Sequence, residues 1–178
     1  MSLKKRGLSD VIATVSLILL AVAAIGIISS FIIPFVRNNL EESSSCLDYR
    51  DYFTFDDGFG YNCYRDGLYA VSIRAGGSKE ADVKGIKLVF TDATGESRSV
   101  SIEENSADFG RNEGKIRRVN VSLPIDVPKG GEVRTYIYNS SSTFDVVDIF
   151  PFLESEKICD KTDSIKISGE ICNGVLTQ

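Results

Sequence analysis

The chain has 178 residues, with 20 Lys and Arg against 25 Asp and Glu, a formal net charge of −5, four Cys, one Met and neither His nor Trp. The length suits one domain plus an accessory segment. The acidic balance argues against nucleic acid as a partner, because phosphate backbones recruit clustered Lys and Arg. The lack of His removes imidazole metal sites and the usual general base of hydrolytic triads.

In chain order, the first element is an uncharged apolar run from Val11 to Val36, 26 residues long. At 1.5 Å per residue a helix over that run reaches ~39 Å, enough to cross a hydrocarbon core of ~30 Å. It has no polar stripe, so lipid or other helices must cover it. Lys4, Lys5 and Arg6 precede it, and the positive-inside rule keeps that end cytoplasmic and sends the rest outside. A cleaved secretory signal has a shorter apolar region. A permanent signal anchor fits both length and charge.

A third reading comes from the front edge, Lys4-Lys5-Arg6-Gly7-Leu8-Ser9-Asp10-Val11-Ile12. Basic residues, one Gly and then an unbroken apolar helix resemble the class III signal peptide of type IV pilins. The start Leu8-Ser9-Asp10-Val11-Ile12-Ala13 is similar to the archaeal branch. Bacterial members usually carry Glu at the position held here by Ile12, and archaeal members often lack it. The resemblance covers about the first 35 residues. It implies cleavage between Gly7 and Leu8 by a prepilin peptidase, with the helix kept. It also implies insertion in the cytoplasmic membrane, then assembly by an ATPase and membrane platform into a homo-oligomeric helical filament. Its core face would include Ala13, Leu17, Leu20, Ala24, Ile28, Phe31 and Phe35. Small residues permit close helix approach and the large ones supply the bulk.

Pro34 lacks the N–H that would bond the Ser30 carbonyl. It is either a hinge or the sign that the helix ends near Val36. The expected division is 1–7 signal peptide, 8–42 apolar helix, 43–47 linker and 48–178 extracellular domain. The tract Asp48 to Gly60 is rich in aromatics and is read as the edge of a core, or else as a contact for a neighbour or ligand.

Beyond it the pattern turns to period two. Tyr69-Val71-Ile73, Ile86-Leu88-Phe90, Val100-Ile102 and Val119-Val121-Leu123 each alternate with polar or smaller residues, Val133-Thr135-Ile137 are expected to face away from Arg134, Tyr136 and Tyr138, and Phe144 to Ile149 and Ser164 to Ile167 add shorter runs. Asp92 to Glu96 reads as a hairpin loop. About seven short strands predict an α+β protein, a long helix followed by an antiparallel β-sandwich of immunoglobulin-like shape.

Cys46, Cys63, Cys159 and Cys172 all follow the apolar run. An even count on the outer side predicts two disulfides, and short loops favour Cys46–Cys63 with Cys159–Cys172. CxxC-like zinc spacing is absent, and Asp56-Asp57-Gly58 hints at a cation without EF-hand spacing. Asn120-Val121-Ser122 and Asn139-Ser140-Ser141 match the N-glycosylation pattern, with Asn120 expected to face outward. No catalytic set, cofactor or metal is expected. The functional expectation is a structural, non-enzymatic filament subunit for adhesion or motility, the alternative being a monomeric membrane-anchored binding protein.

Overall fold

The computed structural model describes residues 5–47, 49–58, 61–77, 83–120, 122–167 and 172. The chain divides into two units, residues 1–45 and 46–178.

The first element is one helix, α1, which runs Lys5–Leu47. Leu and Ala favour this conformation, and each β-branched Ile or Val costs at most ~0.7 kcal/mol relative to Ala. Thr14 and Ser30 turn their hydroxyls back to the Val11 and Ile27 carbonyls, at 3.0 and 2.7 Å. The helix passes through Pro34 and does not end near Val36. Residues 43–47, expected as a linker, are helical too. Once a helix is nucleated, each added residue gains a backbone bond, and Ser is only a modest penalty.

The second unit is antiparallel β. One sheet holds β1 (Phe53–Phe55), β2 (Cys63–Arg65), β3 (Leu68–Ala75), β6 (Ile116–Arg118) and β7 (Val133–Asn139), ordered β1-β3-β7-β6 with β2 also on β3. The other is β5-β4-β8-β9, from β4 (Val83–Thr91), β5 (Ser97–Glu103), β8 (Val146–Leu153) and β9 (Asp163–Lys166). The predicted loop joins β4 to β5: Asp92 and Glu96 are paired through the backbone, and Gly95 takes φ 89°, which favours glycine.

Both sheets feed one core. Tyr69, Val71 and Ile73 meet Tyr136 and Tyr138 on one side, and Ile86, Leu88, Phe90, Val100, Ile102, Val147 and Ile149 fill the other. Each such side chain contributes ~1.5–3 kcal/mol by leaving water. Phe90 stacks on Tyr138 with ring centres 4.4 Å apart. The Tyr69 hydroxyl donates to the Ser142 carbonyl at 3.0 Å and accepts from the Phe144 amide at 2.7 Å. That pins the loop after β7.

Three details depart from the period-two reading. First, β3 is buried on both faces: Ala70 and Ser72 are as inaccessible as Val71. Second, the strand expected across 118–123 stops at Arg118. The Asn120 side chain accepts the Ser122 amide at 3.0 Å, a local turn that competes with the ladder, and Leu123 is exposed. Third, β7 turns Tyr136 and Tyr138 to the core, so that Val133, Thr135 and Ile137 lie on the opposite face. β1 lies inside the aromatic tract and β2 follows it. At three residues each they are too short to show a period.

Candidate functional site

The front edge of the chain is only partly described. Lys4 lies outside the described residues, and Lys5, Arg6, Gly7 and Leu8 belong to the first turns of α1. Behind them, Val11–Arg37 is long and apolar enough to cross a bilayer. Its large side chains are exposed: Leu17 72%, Leu20 73%, Phe31 73% and Phe35 69%, with Ile28 at 54%. Ala13 and Ala24 are exposed as well. Such a surface is unfavourable in water, at ~25 cal/mol per Å². It needs lipid or protein around it. The helix supports membrane anchoring or a signal sequence.

The cysteines form two disulfides, but not the pairs expected from loop length. Cys46 bonds Cys159 and Cys63 bonds Cys172, at sequence separations of 113 and 109. The reason is the topology. β1, at the start of the domain, is tied to β9 near its end by the Phe55 amide donating to the Asp163 carboxylate at 2.7 Å. The fold thus brings the first and last thirds of the domain together. Proximity in space, not in sequence, decides the pairing. Disulfides in the domain after an apolar helix point to an oxidising, extracellular setting.

The aromatic tract is core. Phe53 and Tyr52 are buried, and Tyr49 and Phe55 pack against the same cluster. Phe59 lies outside the described residues. The acid pair is structural as well. Asp56 is buried and receives Arg74 Nε at 2.7 Å and the Gly58 amide at 3.1 Å. Asn62 donates to the Asp56 carbonyl and to Asp57 Oδ1, at 3.0 and 2.9 Å, and accepts the Ser72 amide at 2.8 Å. This loop and the buried Cys63–Cys172 pair, packed with Ala70, close the outer face of β3. The sequence carried a clue only in the unusual Asp-Asp-Gly; nothing in it named Arg74 or Asn62 as partners.

A second charged group surrounds β7. Arg134 pairs with Asp126 and, at 2.7 Å, with Glu132, and Arg118 reaches Asp126 at 3.3 Å. Burial works against the Arg134 charge, and the hydrogen bond and charge of Asp126 more than offset it, so its pKa is raised. The Tyr136 hydroxyl donates to the Asp126 carbonyl at 2.6 Å. Burial is the main reason its pKa lies far above the ordinary phenol value. Among the described residues, no group of three His, Cys, Asp or Glu side chains is placed to hold a metal ion.

The two glycosylation acceptors differ. Asn120 is exposed in its turn. Asn139 ends β7, and its side-chain amide donates to the Arg111 carbonyl at 2.8 Å.

The features with the greatest consequence are the exposed apolar stretch of α1 and the two long-range bridges. Comparison with protein-family models, with curated proteins and with solved structures gives no match.

Proposed function

We propose that the chain is a structural subunit of an extracellular type IV pilus-like filament of the archaeal kind. A prepilin peptidase cuts it between Gly7 and Leu8, and the retained helix polymerises with copies of itself. The observation that carries this reading is a Lys-Lys-Arg-Gly start joined to an uncharged helix whose apolar side chains stand exposed, followed by a disulfide-bonded β domain. In the membrane lipid covers that helix. In a filament neighbouring helices do, and the cost of wetting the surface holds the bundle together. The cut requires the first helical turn to open, which a Gly at the cut makes easier.

Pro34 serves in this reading as a hinge in the helix, and the β domain is an immunoglobulin-like sandwich facing water. The shared core of two antiparallel sheets supports the second of these. Removing residues 1–7 takes away Lys4, Lys5 and Arg6. From Arg37 onward 17 basic residues then face 24 acidic ones. A net negative head keeps densely packed filaments from clumping.

The second reading, a membrane-anchored binding protein, rests on the same helix length, since one span suffices for an anchor. Intact mass of protein purified from its native membrane separates the two. Loss of residues 1–7, and thin filaments in sheared material, are expected for the filament subunit. A chain that keeps its first seven residues overturns that reading and leaves the anchor.

A further inference from the structure

Tension arriving along α1 meets the β domain at Cys46. The next element in sequence, β1, is a weak place to carry it. It is three residues long, lies at the edge of its sheet and pairs only through Phe53↔Ala75, Thr54↔Arg74 and Phe55↔Ile73. β2 is equally short. A pull on such strands opens their ladder one pair at a time. Cys46 has a second covalent neighbour, Cys159, which follows β8. β8 lies inside its sheet, between β4 and β9, and pairs with β4 from Val83↔Leu153 to Thr91↔Val146. The Cys159 amide is itself bonded to the Pro151 carbonyl of β8 at 2.8 Å.

The second bridge crosses the first. In chain order the four residues are Cys46, Cys63, Cys159 and Cys172, bonded first to third and second to fourth. Cys63 and Cys172 are both fully buried, packed with Ala70.

We propose that the crossed bridges form a force shunt. Tension on α1 passes through Cys46–Cys159 into the interior of the second sheet, and the strands from β1 to β8 are held in a covalent ring that this tension does not draw out. The lengths follow from connectivity. From Cys46 to Cys172 the shortest free path is the 13 residues after Cys159, at most ~47 Å when fully extended. If the bonds were Cys46–Cys63 and Cys159–Cys172, the 96 residues from Cys63 to Cys159 would be free, roughly 345 Å. With no bridges the 126 residues from Cys46 to Cys172 are free, roughly 450 Å. The inference holds whether α1 sits in a filament or in a membrane, because both load the domain along the helix.

The test is single-molecule pulling of the full chain in a detergent micelle, between handles at the N-terminus and behind Gln178. Unravelling of α1 and of the tail after Cys172 adds the same length to every trace. Beyond that, the oxidised protein is expected to lengthen by no more than ~50 Å, and by about 400 Å more once a reductant is added. An oxidised protein that lengthens by 300 Å or more overturns the proposal. The double variant Cys46→Ser with Cys159→Ser checks the route of the force. Its first event should release the segment up to Cys63, roughly 60 Å, at lower force than any event in the oxidised parent. An unchanged first-event force means that tension does not run through the bridge, and the shunt is wrong. Should that variant not fold, the comparison before and after reduction of the parent still decides. An uncut N-terminus would sink the filament reading without touching this one.

Discussion

The backbone amide of Phe55 donates to the carboxylate of Asp163 at 2.7 Å, joining residues 108 apart in the chain. The bond runs from an edge strand of one sheet to an edge strand of the other. It closes the domain on the side where its first and last segments meet. Cys46 and Cys63 flank Phe55 in sequence, and Cys159 and Cys172 flank Asp163. One hydrogen bond and two disulfides thus fasten the same two segments.

Asp163→Ala should therefore loosen this seam. It strands a part-buried amide, which costs ~1–3 kcal/mol. The expected result is a lower urea midpoint with unchanged slope, and faster hydrogen exchange at Phe55 than at Ile73 of β3. Equal protection at both amides would show that the bond is not holding β1.

Oxidative refolding should pass through the wrong disulfides. Closing loops of 17 and 13 residues, for Cys46–Cys63 and Cys159–Cys172, is entropically easier than closing loops of 113 and 109. The difference is about 1.7–1.9 kcal/mol per bridge, roughly 20-fold in favour of the local pair. Native bonds then have to form by thiolate exchange. Alkylation trapping and peptide mapping from the reduced, unfolded chain should find local pairs first. Native pairs among the earliest species would mean that the sheets fold before the thiols oxidise.

The Asp56–Arg74 pair is unequal in its surroundings: Asp56 is 5% exposed, whereas the Arg74 side chain is 47% exposed. In Asp56→Ala the guanidinium can turn to water. In Arg74→Ala a buried carboxylate loses its counter-charge and keeps the Gly58 amide as its donor. Arg74→Ala should be the more damaging, about 3 kcal/mol, because an uncompensated buried charge is expensive. Denaturant titration of both variants tests the order; a greater loss for Asp56→Ala would contradict the account.

Stability should fall at both ends of the pH scale. Asp92 and Glu113 are held below the ordinary carboxylate range, chiefly by side-chain hydrogen bonds from Thr94 and Ser141, and Glu132 chiefly by the Lys129 amide. Folded values below unfolded ones give a contribution that is complete above the ordinary carboxylate range and lost as pH falls through the lowered values. Burial raises Tyr136, and also Tyr69 and Tyr138, above the ordinary phenol value of 10.0. That contribution is complete below pH 10.0 and lost as pH rises toward the folded values. Thermal melts from pH 2 to 12 should show a plateau near neutrality. Tyr136→Phe should be less stable at pH 7, having lost the bond to the Asp126 carbonyl, yet less sensitive to alkali. An alkaline limb as steep as the parent's would remove Tyr136 from this role.

What the sequence determined by itself is what neighbouring residues encode. An uncharged run of 26 residues can only be a helix in need of cover, and Asp92 to Glu96 carries its own turn chemistry. The alternation in β3, β4 and β5 named the core side of those strands, since period two is a property of each strand alone, whereas in β7 the core takes Tyr136 and Tyr138 rather than Val133, Thr135 and Ile137. The tertiary structure decided everything that depends on which strands are neighbours. Ser72 is buried because the Asn62 loop and Cys172 cover that face. The β6 strand does not reach Leu123 because the Asn120 turn is satisfied locally. The cysteines pair across more than 100 residues, because the order of strands in the two sheets brings the ends of the domain together, and no local spacing records that order.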